Sequence, residues 1–120
     1  MIDFKQNIFK INLKYSNKKG GSMTIKEISG KDLEKLDDSY KIIDVRTEEE
    51  YKAGHIKNAI NVPLDNILAN DFDLDKNEKL VIHCRTSGRS KMAIETLFNL
   101  GYKDLTLAPG VDLYDYDLVK

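Results

Sequence analysis

One cysteine, Cys84, occurs among the 120 residues, and its neighbours define what it could do. It ends the apolar run "KLVIHC" and opens a loop of Arg85, Thr86, Ser87, Gly88, Arg89 and Ser90, after which a helical pattern begins. A strand-to-helix turn leaves several backbone N–H groups without partners. These can converge into an anion cradle, and the helix N-terminus adds its positive end. Gly88 is expected to allow a backbone shape that a side chain would obstruct. Arg85 and Arg89 add positive charge on both sides. Each of these features favours thiolate over thiol, and the thiolate is the nucleophile. The same cradle would hold an anionic substrate or a charged intermediate. A lone cysteine closing an apolar strand is also ordinary core material. Two arginines, a glycine and three hydroxyl side chains in six positions are poor material for packing, however, and they turn the reading toward a reactive thiol.

The other chemically capable residues each have two readings. Asp44 and Arg46, in "KIIDVR", fall at the carboxyl end of a predicted strand and could support the site; the commoner role for such a pair is an internal ion pair or loop anchor. His55, in "GHI", is expected to hydrogen-bond a loop rather than act as a base. His83 precedes Cys84 on a strand, so its side chain points to the opposite face and is poorly placed to act on the thiol. Glu48, Glu49 and Glu50 read as charges at a helix start. Tyr114 and Tyr116, with the acidic Asp115 between them, are expected to form a surface patch or a lid.

Positioning these residues requires alternating strands and helices, and the sequence supplies that order. A short strand near Ile25–Ile28 precedes a helix capped by Ser29, with Asp32 three residues on. The apolar runs "KIIDVR" (41–46), "AINVP" (59–63), "KLVIHC" (79–84) and "DLTLA" (104–108) predict buried strands. Thr47 and Glu50 match a capping box, Gly54 ends that helix, and Pro63 is placed at the first position of another. Ala93, Leu97 and Leu100 recur at helical spacing beside Ile94 and Phe98, and Gly101 stops the run. This order predicts an α/β fold with a mainly parallel sheet covered on both faces. Ligands in such sheets bind beyond the carboxyl ends of the strands. Arg46 and Cys84, each read as the last residue of its strand, point to the same edge.

Composition narrows the function classes. The chain is 41% hydrophobic and 32% charged, enough for one core. A net charge of -1 gives no electrostatic case for nucleic acid. The longest apolar runs are a few residues, which excludes a membrane-spanning helix, and no secretory signal is visible. A single cysteine cannot form an internal disulfide or a cysteine-based zinc site. The expectation is a reduced, cytoplasmic setting with no metal.

Residues 1–22 differ from the rest. They carry Lys5, Lys10, Lys14, Lys18 and Lys19 against Asp3, a net of +4, which leaves -5 on residues 23–120. "KKGGS" (18–22) reads as a linker between an N-terminal extension, 1–22, and a single domain, 23–120. "IFKINLKY" alternates Phe9, Ile11, Leu13 and Tyr15 with polar residues, which suits an added edge strand with lysines toward water. Alternatively, Lys-Lys-Gly-Gly reflects a purine-rich coding stretch that resembles a bacterial ribosome-binding site, and translation begins naturally at Met23.

At this point the chain resembles the rhodanese homology domain, specifically its single-domain sulfurtransferases, over nearly all of Met23 to Gly110. "IIDVRTEEEYKAGHIKNAINVP" is similar to the family's first block and "VIHCRTSGRS" to its active-site block. The resemblance implies a rhodanese-like three-layer sandwich with a mainly parallel five-stranded sheet flanked by helices. It implies that Cys84 is the nucleophile and carries sulfur as a persulfide, held by the amides of Arg85 through Ser90. A small-molecule donor such as thiosulfate would load it, a thiol or protein acceptor would unload it, and no cofactor would be needed. Arg85 would pair with the donor's sulfonate oxygens. The segment "LAPGVDLYDYD" departs from the family's last block, which often has two glycines and a downstream tryptophan. That departure bears on the rim of the pocket and the choice of acceptor.

Two other classes compete. Cysteine phosphatases and arsenate reductases of related fold place an arginine sixth after the cysteine. Here the sixth residue is Ser90 and Arg89 falls one position early, so the shorter loop suits sulfur better than a tetrahedral ester. A non-enzymatic binding module would not need the cysteine and its basic loop, although a sulfur-carrier role would.

Overall fold

The computed structural model describes residues 10–16 and 22–120, with side chains from Ile25 onward. A six-stranded sheet runs through the molecule in the order β1-β2-β7-β6-β3-β5. Its strands are β1 (Lys10–Ser16), β2 (Ser22–Glu27), β3 (Tyr40–Asp44), β5 (Ile60–Asn61), β6 (Lys79–His83) and β7 (Leu105–Leu107). The five strands from β2 to β5 are mutually parallel, as the alternation of elements predicts. A second, two-stranded sheet pairs β4 (His55–Ile56) with β8 (Leu118–Val119) antiparallel. Neither of these strands is foreshadowed by the apolar pattern, because each is too short to show a period.

β1 lies antiparallel on β2, from Lys10 opposite Glu27 to Ser16 opposite Ser22, with an irregularity between Ile11 and Leu13. The backbone thus contains the added edge strand. The outward direction expected of its lysines concerns side chains outside the described ones. Except for Ser22, which opens β2, the expected linker also falls outside the described residues.

Helices cover both sheet faces. These are α1 (Gly30–Leu33), α2 (Glu48–Ala53), α3 (Leu64–Leu68) and α4 (Gly88–Asn99). Strand alternation sends Ile43, Val45, Leu80, Ile82 and Cys84 to the side packed by Ile67, Ala93, Ile94 and Leu97. Val81 faces the other way, with Leu33, Ile56, Ala108 and Tyr116. The buried side of α4 comprises Ser90, Ala93, Ile94 and Leu97, the spacing of one helical stripe. Full burial of Leu97 contributes about 1.5–3 kcal/mol to holding α4 against the sheet.

Several boundaries move by a residue or two. β6 ends at His83 and β3 at Asp44, so Cys84 and Arg46 lie just past their strands. Pro63 is the residue before α3 rather than its first. α4 begins at Gly88, inside the stretch read as loop. The two caps are as the sequence indicates. Ser29 Oγ accepts from Asp32 N at 3.1 Å, and Thr47 and Glu50 form a complete capping box.

Candidate active site

The site grows from the register of β3 and β6. They are adjacent and parallel, with Asp44 opposite His83, so the residues that follow each strand emerge at one sheet edge. Cys84 follows β6 directly and keeps 1% of its surface exposed. The chain then turns through Arg85, Thr86 and Ser87 into α4. Ser87 makes the turn with a φ of 83°, in the left-handed region. Gly88, expected to hold the special conformation, does not: a side chain there would meet nothing within 4 Å, and its φ is not positive. The turn is placed one residue earlier, on a serine.

The result is a cradle around sulfur. Ser87 N donates to Cys84 Sγ at 3.0 Å and Ser90 N at 3.4 Å. Both amides belong to the start of α4, a 12-residue helix whose positive end therefore faces the thiol. The floor is pinned from the other side. Val111 N donates to Cys84 O at 2.9 Å, and Asp112 N donates to Arg85 O at 3.0 Å. Gly110 makes that approach possible, since a Cβ there would overlap the carbonyls of Arg85 and Cys84.

The two loop arginines do not leave bare positive charge around the thiol, as their sequence positions suggest. Arg85 Nε donates to Asp112 Oδ2 at 2.9 Å, with side chains 58% and 45% exposed. Arg89 forms a two-pronged pair with Glu50 of α2, NH1 to Oε1 at 2.6 Å and NH2 to Oε2 at 3.0 Å. That guanidinium lowers the Glu50 carboxyl to about 2. In return Glu50 raises Arg89 above its ordinary range, with smaller contributions from Cys84 and Asp44. What points at sulfur is therefore the pair of backbone amides, with Arg89 as a nearby cation already engaged. Thr86 and Gly88 are exposed on the rim.

Asp44 and Arg46 are drawn into the structure rather than toward the sulfur. Arg46 Nε and NH2 donate to the Asp44 carboxylate at 2.8–3.1 Å, and NH2 also donates to Gly54 O at 2.7 Å. Asn61 Nδ2 bridges the carbonyls of Asp44 and Arg46. The buried pair anchors the loop between β3 and α2. Asp44 Oδ2 lies 3.9 Å from His83 Nε2, on the face away from Cys84. Burial pushes the His83 imidazole below its ordinary value, against the opposing pull of the Asp44 carboxylate and the Cys84 backbone. His55 Nδ1 is 2.9 Å from Tyr51 O, and its ring stacks on Tyr51. Tyr116 is buried beside His83 and donates to Pro109 O at 2.7 Å, so it is a core residue. Tyr114 packs edge-on against it and donates to Glu34.

Three contributors are not legible in the sequence. Glu50 has a clear local role as the capping-box residue, which hides its second role as the partner of Arg89. Gly110 and Asp112 act across the sheet edge. The one available signal is the Pro109-Gly110 turn placed directly after a strand. A depression of about 200 Å³ adjoins the loop, lined by Ile28, Ser87, Leu107, Pro109 and Leu113 among others. The cleft of about 280 Å³ on the other face, lined by Leu36, Ile42 and Tyr116 among others, includes none of the Cys84 loop.

Residues 29–111 match the sequence profile of the rhodanese-like domain. The chain belongs to the rhodanese-like family. Among its relatives, it is 34% identical over 71 residues to the thiosulfate sulfurtransferase PspE of Escherichia coli, an alignment that spans 58% of this chain and 68% of that protein. It is 34% identical over 76 residues to YrkF of Bacillus subtilis, provisionally named a sulfur carrier protein. That alignment covers 62% of this chain but 41% of YrkF, so the rhodanese-like domain corresponds to part of that relative. Among solved structures, a rhodanese-like domain protein from Staphylococcus aureus superposes with a TM-score of 0.68 at 30% identity, covering 78% of this chain and 95% of that one. Among the described residues of this rhodanese-like domain, no helix is long and apolar enough to cross a membrane.

Proposed function

We propose that this rhodanese-like domain is a sulfurtransferase that moves sulfane sulfur from thiosulfate or a persulfide donor to a thiophilic acceptor through a Cys84 persulfide. The observation that carries the reading is the convergence of Ser87 N and Ser90 N on Cys84 Sγ at the start of α4. Two amides and a helix end stabilise sulfur when it is anionic, before and after loading. The names of PspE and YrkF support the same chemistry.

The reaction has two displacements. Cys84 thiolate attacks the outer sulfur of thiosulfate, the S–S bond of the donor breaks, and sulfite leaves with the bonding pair. The acceptor thiolate then attacks the terminal sulfur of the Cys84 persulfide, and Cys84 leaves as the thiolate. Neither step needs an oxidant or a reductant. The enclosed thiol favours a donor that presents a single protruding sulfur atom. The phosphatase alternative is disfavoured by Arg89, which falls one position early in sequence, the sixth residue after Cys84 being Ser90.

Mass spectrometry tests the reading directly. Thiosulfate should leave the intact protein one sulfur atom heavier at Cys84, and a thiol should remove that atom. Cys84→Ser should abolish transfer to cyanide without loss of fold, because serine is similar in size and cannot hold a persulfide. Retained transfer in Cys84→Ser, or ready hydrolysis of an aryl phosphate with no uptake of sulfur, would sink the proposal.

A further inference from the structure

A donor such as thiosulfate brings two things to the site: a sulfur for Cys84 and a set of anionic oxygens. A cation for those oxygens stands close by in Arg89, which is one residue from the Ser90 amide and within the electrostatic field of Cys84. Its planar fork matches two oxygens of a sulfonate as well as it matches a carboxylate. The fork is already filled, since both terminal nitrogens of Arg89 contact the two oxygens of Glu50.

Two features make this pair exchangeable. The side chains are 33% and 27% exposed, so water can take the place of either partner. Glu50 is also held independently of Arg89: Thr47 N and Thr47 Oγ1 reach Glu50 Oε1 at 3.2 and 3.1 Å. When Arg89 turns away, the carboxylate keeps its seat on the capping box. Neither group is left buried and unpaired, which is the condition that makes breaking an ion pair costly.

We propose that Glu50 is a specificity-determining residue, a built-in carboxylate that occupies Arg89 and must yield it before an oxyanion-bearing sulfur donor can bind. The inference rests on the sulfurtransferase reading for its kinetic consequence and on the Arg89–Glu50 geometry for its physical one. Glu50 sets a threshold against sulfonate-type donors. Persulfides without additional oxyanion groups do not need the arginine fork and pass without it.

Glu50→Gln in the full chain tests this. Glutamine still serves a capping box, so the start of α2 is retained, and a thermal melt checks that it is. In transfer to cyanide, the KM for thiosulfate should fall by about two- to fivefold, the range for releasing a part-exposed ion pair. The KM for a hydroxyalkyl persulfide should not change. Equal rises for both donors, or an unchanged KM for thiosulfate, would show that Glu50 only holds the loop and would overturn the inference. A binding readout separates this inference from the sulfurtransferase reading. By calorimetry, thiosulfate should bind Cys84→Ser/Glu50→Gln more tightly than Cys84→Ser alone, and equal or weaker binding overturns the competition. A wild type that transfers no sulfur while the calorimetric difference persists would refute the sulfurtransferase reading and leave the competition intact.

Discussion

Two arginine–carboxylate pairs lie near the carboxyl edge of this sheet, and they do opposite work. Arg46–Asp44 is nearly sealed, with side chains 6% and 0% exposed, and it is tied further by Arg46 NH2 donating to Gly54 O and Arg46 N donating to Asp44 Oδ1. Arg89–Glu50 has the same two-pronged contact but stands at the boundary with water. Removing one partner of the first strands a charge in a low-dielectric interior; removing one partner of the second hands the other to solvent. Arg46 grips its carboxylate through Nε and one terminal nitrogen and Arg89 through both terminal nitrogens. Burial makes the first pair a fixture, and exposure together with the Thr47 cap on Glu50 leaves the second exchangeable.

The largest effect should come from the sealed pair. Asp44→Asn leaves the Arg46 guanidinium buried without its counter-charge and should cost about 3–5 kcal/mol of stability. Glu50→Gln should cost no more than about 1 kcal/mol. Urea denaturation of the two variants measures both, and equal losses would erase the distinction between the pairs.

Acid should separate two regions in turn. His83 is held neutral by burial, so its folded value lies below the usual 6.5. The unfolded chain then binds the proton more readily. Stability from this residue is complete above about pH 6.5 and declines as the pH falls toward the folded value. Glu50, lowered from 4.5 to about 2 by Arg89, contributes stability that is complete above about pH 4.5 and is lost as the pH falls through about 2. Unfolding free energies measured against pH should therefore flatten below 6.5 in His83→Gln and below 4.5 in Glu50→Gln. An unchanged slope in either variant removes that residue from the account.

Arg85 should show the smallest effect. Its bridge to Asp112 is largely exposed, so Arg85→Ala should change stability by no more than about 0.5 kcal/mol. If it also meets the sulfonate, thiosulfate use should weaken by up to about fivefold while a neutral persulfide is unaffected. Equal losses with both donors would mean that Arg85 only maintains the loop.

The sequence alone carried the architecture and pointed to the centre of the candidate site. Apolar runs such as "LVI" at 80–82 declare buried parallel strands, and Ser29, Thr47 and Glu50 mark helix starts, because these signals act within a few residues. Cys84, placed between a strand run and a helical run, was legible for the same reason. Pairings between distant segments could not be read this way. Nothing local assigns Arg89 to Glu50 rather than to Glu48 or Glu49, Asp112 to Arg85, or Leu118 and Val119 to His55 and Ile56. The backbone shape expected to need Gly88 falls on Ser87 instead: a glycine is permissive wherever it stands, while the chain's path from β6 into α4 puts the left-handed turn at Ser87. Local energetics fix which residues begin and end each element. Only closure of the sheet brings Glu50 and Gly110 to the Cys84 loop, because their contacts there, unlike caps and periodicity, arise when segments far apart in the chain are packed onto one edge.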